Sequence, residues 1–254
     1  MIKSKIEWTE STINFWMGCN KISAGCKNCY MFRDFKRYGR DPNKILRTKK
    51  ATFRKALKWE TPQKIFTNSW SDFFIEEADG WRNEAWDVIR KTPHHTWQIL
   101  TKRPERIKDH LPSDWGNGYQ NVWLGVSVED QKSFHRAKSL SEIPAKVRFI
   151  SAEPLLEELN LLQLIEQERV IDAFDWIIIG GESGNDIGQY GYRECKIEWI
   201  DKIVTDLQNE APHVKIFIKQ LGTHLKKELK LKGKRHGGEI DKWPSHLRIR
   251  DYPN

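Results

Sequence analysis

The sequence predicts an α/β fold: a partial (β/α) barrel of the TIM type with about six to seven parallel strands. Short runs rich in β-branched and aromatic residues recur along the chain, and amphipathic stretches of helical length lie between them. Strands that alternate with helices form right-handed βαβ units and therefore a parallel sheet. A length of 254 residues is ordinary for one such barrel. A doubly wound open sheet is the architectural alternative.

The predicted elements follow one another in a regular order. A first strand is expected before Cys19, where the cysteine-rich part of the chain begins. Six further apolar runs are predicted strands, at 64–68, 96–100, 122–126, 147–150, 176–179 and 214–218. Helices are expected between them, near 79–91, 103–110, 129–140, 155–168 and 196–210. The barrel is thus predicted to span residues 1–222, with 223–254 as a basic C-terminal extension that packs on it.

The composition favours a soluble protein with a hydrated surface. Hydrophobic residues make up 38% of the chain, and the mean hydropathy is -0.70. No apolar run reaches the roughly 18 residues that span a bilayer, and the N-terminus lacks the apolar stretch of a signal peptide. We therefore expect a cytoplasmic protein without a membrane partner. The net charge of +8 favours a polyanionic partner such as nucleic acid, although many basic proteins bind none.

Polar and charged residues follow the predicted strands. In a parallel barrel the carboxyl ends of the strands meet at one face, where active sites are built. The candidate site residues at these strand ends are Asn68, Ser69, Ser71, Asp72, Lys102, Ser127, Glu129, Glu153 and Glu182. Each could instead be a helix N-cap, since Ser, Asp and Glu are ordinary there. With Lys219–Gln220 after the last predicted strand there are six such segments in series, which favours a functional site.

Three of the four cysteines fall within eleven positions, in the pattern C-x6-C-x2-C. They are Cys19, Cys26 and Cys29. In a reducing compartment such clustering indicates metal binding or catalysis rather than disulfides. Three thiolates on one loop can bind three irons of a [4Fe–4S] cluster and leave the fourth iron open. The alternative is a structural zinc site completed by Cys195 or a histidine, because the C-x2-C spacing also suits zinc.

Taken together, the cysteine loop and the strand ends resemble the radical S-adenosylmethionine (radical SAM) superfamily. The chain is most similar to phage- and prophage-borne three-cysteine proteins of uncertain function within it. The resemblance is carried by residues 6–9, 18–30, 98–106, 121–131, 151–156, 180–184 and 217–220. There are two departures from the common pattern. The first cysteine gap is six residues instead of three, and Asn28 precedes the third cysteine where an aromatic residue often stands.

The resemblance implies a cluster loop after the first strand and a SAM that chelates the open iron through its amino and carboxylate groups. It also implies cleavage of SAM to methionine and a 5′-deoxyadenosyl radical, with the electron coming from an external donor of the flavodoxin or ferredoxin type. Contacts to SAM are expected after the second strand and at later strand ends, from Asn68, Ser69, Ser71, Asp72, Ser127, Glu129 and Glu182.

Three residues are the catalytic candidates. Lys102 could hold a carboxylate or phosphate, and Glu153 could bind a ribose hydroxyl or an amino group. Cys195 could donate hydrogen to a product radical, as thiols do in repair enzymes of the superfamily. The alternative for Cys195 is a buried packing role, which is commoner for a free cysteine.

The expected function is a radical SAM enzyme that acts on a nucleic-acid base or nucleotide, in modification or repair. One alternative is a zinc- or cluster-stabilised nucleic-acid-binding module without catalysis. The basic stretch at 44–58 favours it. The other alternative keeps the radical chemistry and gives it a peptide or small-molecule substrate. The sequence leaves the oligomeric state open.

Overall fold

A computed structural model describes residues 4–186, 190–233 and 236–254. Its central sheet has seven strands, which are β1 (Ser11–Ile13), β2 (Lys64–Thr67), β3 (Thr96–Thr101), β4 (Val122–Ser127), β5 (Val147–Ala152), β6 (Trp176–Gly180) and β7 (Lys215–Gln220). Each strand pairs in parallel with the next one along the chain. A doubly wound sheet reverses its strand order at a switch point. The sequential order therefore confirms the predicted parallel α/β sheet, here a half-barrel.

The helices are α1 (Tyr30–Arg37), α2 (Lys50–Phe53), α3 (Asp79–Arg90), α4 (His135–Ser141), α5 (Ile197–Glu210) and α6 (Gly222–Glu228). The helices predicted at 79–91 and 196–210 are confirmed as α3 and α5. The region predicted as a helix at 103–110 forms short 3-10 turns instead. The region predicted as a helix at 129–140 contains a 3-10 turn that leads into α4. None of the helices in the described ranges is both long enough and apolar enough to cross a membrane.

The predicted helix at 155–168 is wrong. This segment is irregular and ends in a two-stranded hairpin of Leu164–Ile165 and Glu168–Arg169. The start of the segment bonds to distant parts of the chain, since the N–H of Leu155 donates to the carbonyl of Gly180 at 2.9 Å and the N–H of Leu156 to the carbonyl of Glu129 at 3.0 Å. Leu155, Leu159 and Leu161 are buried in the main core cluster, whereas Leu164 is 57% exposed. The apolar spacing thus reflects core packing of an irregular segment rather than a helix.

Two apolar clusters lie on opposite faces of the sheet. The larger one joins the outer face of the strands to the helices, with Ile65 from β2 and Ile203 from α5 among its members. The smaller one is mostly aromatic and contains Trp8, Phe66, Trp123, Phe149, Trp176 and Phe217. Because the helices cover the outside of a barrel, the aromatic cluster fills the inside of the half-barrel.

The segment after β7 covers the open edge of the sheet. Arg250 forms an antiparallel bridge with Phe217, and the ring of Tyr252 lies 5.4 Å from that of Trp176. Leu225 belongs to the main core cluster together with Trp243 and Leu247. The C-terminal region therefore packs on the half-barrel and protects an edge that would otherwise expose unpaired backbone groups.

Candidate functional site

A cavity of ≈ 250 Å³ lies at the carboxyl ends of the strands. All three clustered cysteines line it, together with residues at the ends of β2 to β7. The predicted site residues on its wall are Cys19, Cys26, Cys29, Asn68, Ser69, Ser71, Asp72, Lys102, Ser127, Glu153 and Glu182. Glu129 and Cys195 are not part of this wall. The fold thus brings most of the predicted site residues to one place.

The cysteine loop begins at a position that requires glycine. Gly18 has a φ of +97°, and a Cβ atom there would lie 2.5 Å from the carbonyl oxygen of Lys44. The segment after β2 holds this glycine on both sides. Its N–H donates to the carbonyl of Trp70 at 2.9 Å, and the hydroxyl of Ser71 donates to its carbonyl at 2.6 Å. Ser71, a predicted SAM contact, therefore positions the cysteine loop.

The side chain of Asn68 also has a structural partner. Asn68 adopts a φ of +53° directly after β2, and its Oδ1 accepts a hydrogen bond from the N–H of Phe15 at 2.7 Å. The carbonyl of Ser69 accepts a hydrogen bond from the hydroxyl of Tyr30 at 2.7 Å. These contacts tie the end of β2 to the chain on either side of the cysteine loop.

Glu129 is fully buried beneath the cysteine loop. Its Oε1 accepts from the hydroxyl of Ser23 at 2.8 Å and lies 2.5 Å from Nζ of Lys102. Its Oε2 accepts from Nη1 of Arg136 at 2.7 Å. Burial by itself raises the pKa of this carboxyl, but Lys102 and then Arg136 outweigh it and lower the pKa to about 2. The loop approaches so closely that a Cβ atom on Gly25 would lie 2.4 Å from Oε1.

Asp72 connects β2 with the end of β3. Its Oδ2 accepts from the N–H of Lys102 at 2.9 Å and pairs with the guanidinium of Arg103 at 3.1 Å. Arg103 in turn donates to the carbonyl of Asn20 at 3.2 Å, and its positive charge opposes the burial that raises the pKa of the Cys19 thiol. A carboxylate that was predicted to contact SAM therefore orients the arginine that reaches the first cysteine.

Glu182, which follows β6, fastens the other side of the loop. Its carboxylate accepts from the amide of Asn28 at 3.0 Å and from Arg193 at 2.9 and 2.5 Å. Arg193 also donates to the carbonyl of Ala24 at 2.9 Å. The loop from Gly18 to Cys29 is thus attached to the ends of β2, β3, β4 and β6.

Four acid–base pairs have at least one member on the cavity wall, and we call them the strand-end pairs. They are Asp72–Arg103, Glu129–Lys102, Glu153–Lys219 and Glu182–Arg193. Lys102, predicted to hold a carboxylate or phosphate, is therefore bound to Glu129. Glu153 lies 2.8 Å from Lys219. Both signs of charge face the same cavity, which suits a zwitterionic ligand better than a purely anionic one.

All four cysteines are free thiols. Burial, and after it the charge of Asp72, raises the pKa of Cys19 to about 12. Burial also raises the pKa of Cys29. Within the described ranges, no three or more His, Cys, Asp or Glu side chains surround a site for a single metal ion. A [4Fe–4S] cluster places different demands, because its three cysteines bind three different irons.

Cys195 lies away from this arrangement. It is fully buried in the main core cluster, and burial raises the pKa of its thiol to about 12. This position favours the packing role over the predicted role as a hydrogen donor.

Two arginines of the site were missed from the sequence. Arg136 stands seven residues after Glu129, but Glu129 precedes the 3-10 turn Gln131–Phe134 and Arg136 lies in α4, so helical spacing does not bring this pair together. Arg193 reaches Glu182 across an irregular loop, and nothing in the local sequence indicates it.

The chain is similar to one described protein family. The family described as protein of unknown function (DUF5131) matches residues 3–244. No curated protein and no solved structure matches the chain. Since the match covers nearly the whole sequence, the chain belongs to the DUF5131 family.

Proposed function

We propose that the chain is a radical SAM enzyme in which Cys19, Cys26 and Cys29 bind a [4Fe–4S] cluster after the first strand of a TIM-type half-barrel. One observation carries the proposal: the three thiols line a single cavity at the carboxyl ends of parallel strands. This is the face on which barrel enzymes build their sites. A set of three thiolates would leave one iron of the cluster without a protein ligand.

The surroundings of the thiols suit a bulky inorganic group. Gly18 and Gly25 allow the loop backbone to pass where a Cβ atom would collide. The hydrogen bonds to Ser71, Arg103 and Arg193 hold the loop in a fixed position. Preorganised ligands lower the ordering cost of binding. The donor set and its support therefore fit the group that the proposal requires.

When bound, the cluster and SAM would supply one electron, taken from an external flavodoxin- or ferredoxin-type donor, and a 5′-deoxyadenosyl radical that abstracts a substrate hydrogen. The chain would bind and orient the reactants. The Glu153–Lys219 and Glu182–Arg193 pairs would receive the amino and carboxylate groups of SAM. The aromatic side chains of Trp8 and Phe66, at the cavity wall, would exclude water from the reacting centre.

The proposal is tested by anaerobic purification and reconstitution with iron and sulfide. We expect equal amounts of bound iron and sulfide and a brown protein. Addition of dithionite and SAM should then release 5′-deoxyadenosine and methionine. Cys26→Ser should lose both the cluster and this activity. The matched control is Cys195→Ala, which removes a thiol outside the cavity and should keep both.

A colourless protein that carries one zinc per chain and releases no 5′-deoxyadenosine would overturn the proposal. Binding of nucleic acid by that zinc form would favour the non-catalytic module instead. The substrate class needs a separate measurement. Mass spectrometry of nucleosides from a host with and without expression tests a nucleic-acid base or nucleotide, and unchanged nucleosides would favour a peptide or small molecule.

A further inference from the structure

The positive charge of the chain is concentrated in one segment. Residues 33–58 contain eleven Lys and Arg side chains and two carboxylates, a net charge of +9, whereas the whole chain has +8. The rest of the molecule is therefore almost neutral. We call residues 33–58 the basic segment.

Most of these charges face solvent. The exposed basic side chains are Lys36, Arg37, Arg40, Lys44, Lys49, Lys50, Arg54, Lys55 and Lys58. Two arginines anchor the segment: Arg47 and Arg54 both pair with Glu84 of α3, at 2.5 and 3.1 Å. The side chains of Phe35 and Phe53 are buried, whereas Leu46 and Leu57 are 41% and 43% exposed. The basic segment thus has a fixed backbone and a charged outer surface.

The basic segment is attached directly to the cysteine loop. The N–H of Cys19 donates to the carbonyl of Pro42 at 2.8 Å. The short strand Trp16–Met17 pairs antiparallel with Leu46–Arg47. Phe32, which lines the cavity, is followed at once by the first residue of the segment. A polymer bound along the segment would therefore pass beside the cavity.

We propose that the basic segment is the docking surface for the phosphate backbone of a nucleic acid, with one base presented to the cavity. Any reaction of that base in the cavity rests on the proposed function, whereas binding of the phosphate backbone to the basic segment does not. Closely spaced phosphates match a row of lysines and arginines. Tyr38, 63% exposed within the segment, adds an aromatic face on which a base can stack.

The same charges could attract an anionic membrane, but the packing argues against it. A helix that lies on a bilayer inserts its apolar face into the lipid. The apolar face of α1 is already buried in the protein, through Met31, Phe32 and Phe35. The residues of α1 that stay exposed are Tyr30, Lys36 and Arg37, two of which carry the positive charge that phosphates bind.

The test measures binding of the full chain to a labelled single-stranded oligonucleotide over a series of salt concentrations. The variant carries Lys44→Gln, Lys49→Gln, Lys50→Gln and Lys58→Gln. Affinity should fall linearly with salt on logarithmic axes. Each lysine that contacts a phosphate should contribute about 0.7 to the slope, so the variant should have a shallower slope and weaker binding at low salt.

A control variant with the same net charge carries Lys91→Gln, Lys108→Gln, Lys132→Gln and Lys146→Gln, four exposed lysines outside the segment. It should keep the wild-type slope. Equal losses in both variants, or no binding by the wild type at low salt, would overturn the proposal. So would binding to phosphatidylserine vesicles that the first variant loses while its oligonucleotide affinity stays unchanged.

The cluster proposal can fail separately. The salt series is run on reconstituted protein and on Cys26→Ser, and docking should be the same in both. A chain that cleaves SAM without binding the oligonucleotide retains the proposed function and loses the docking surface. A chain that binds the oligonucleotide but holds no cluster retains the docking surface and loses the proposed function.

Discussion

A Cβ atom at Gly25 would lie 2.4 Å from Oε1 of Glu129, closer than real Cβ contacts come. Gly25→Ala should therefore force the loop away from Glu129 and lower the free energy of unfolding by about 1–3 kcal/mol, the usual cost of overpacking. The control is Gly80→Ala, since nothing lies within 4 Å of that Cβ position in α3. There Ala should stabilise the helix. Urea unfolding measures the free energy of unfolding of both variants. Equal values for Gly25→Ala and Gly80→Ala would contradict the packing argument.

The buried carboxylate of Glu129 serves two cations, Lys102 and Arg136. Glu129→Gln would leave both without a counter-charge, and we expect a loss of about 3–5 kcal/mol in the free energy of unfolding. Glu142→Gln is the matched control, because Glu142 is 63% exposed where it pairs with Lys138. An exposed pair contributes about 0–1 kcal/mol. Similar losses in the two variants would show that Glu129 is not a structural ion-pair partner.

The lowered pKa of Asp79 should make the free energy of unfolding depend on pH. Burial is the largest single influence and raises the pKa of this carboxyl, but the hydrogen bonds from Arg82 and Arg106 together outweigh it and lower the pKa from 3.8 to about 2. A lowered pKa stabilises the fold above the unfolded value and loses that effect as the pH falls through the folded value. The difference in unfolding free energy between the wild type and Asp79→Asn should therefore be largest above pH 3.8 and shrink towards pH 2. A constant difference from pH 5 to about pH 2 would contradict this assignment.

Residue types at the strand ends could be predicted from the sequence, but their pairing could not. Periodicity and the geometry of a parallel sheet bring Asp72, Glu153 and Glu182 to one face. Whether a carboxylate meets a ligand or a neighbouring cation depends on side chains that the fold delivers from distant positions. Arg193 and Lys219 occupy those places, so candidates for ligand contact became members of ion pairs.

At the scale of elements, the strands were easier to predict than the helices. Buried parallel strands such as β4 and β6 are continuous apolar runs that end in polar residues, a local signal. The segment 155–168 has apolar residues at helical spacing, yet its backbone bonds to Gly180 outweigh local preference. The segment 103–110 has Pro104 at the first position of its 3-10 turn, where Pro is tolerated, and Arg106 donates to the carbonyl of Phe74 at 2.8 Å. Tertiary hydrogen bonds of this kind leave no mark in a short window of sequence.

The chain after β7 gives a prediction at this scale. Tyr252 packs against Trp176 and Phe217, with ring centroids 5.4 and 5.3 Å apart. Each such aromatic pair contributes about 0.5–1.5 kcal/mol, so Tyr252→Ala should lower the free energy of unfolding by about 1–3 kcal/mol. Tyr38→Ala removes the same side chain from a site that is 63% exposed and should change it by less than about 0.5 kcal/mol. If Tyr252→Ala and Tyr38→Ala lowered the free energy of unfolding by similar amounts, the terminal segment would not stabilise the half-barrel.

At the scale of the whole molecule, the cysteine loop connects strands that are not neighbours in the sheet. It contacts the end of β2 through Ser71, the region after β4 through Glu129, and the region after β6 through Glu182. A half-barrel has no closing hydrogen bonds between its outer strands, so contacts across its mouth restrict how far it can open. A ligand that rigidifies this loop should therefore stabilise the ends of several strands at once.

Cluster binding, if the proposed function holds, should therefore stabilise more than its own loop. A group that binds the folded chain alone raises stability by mass action. We expect a higher Tm for the reconstituted protein and slower amide exchange at 18–30, at 68–72 and at the ends of β4 and β6. The hairpin at 164–169 makes none of these loop contacts and should exchange as before. Removal of the iron by a chelator should reverse the change, and Cys26→Ser treated in the same way should show none. Protection confined to the loop would mean that the contacts across the mouth do not couple the strands.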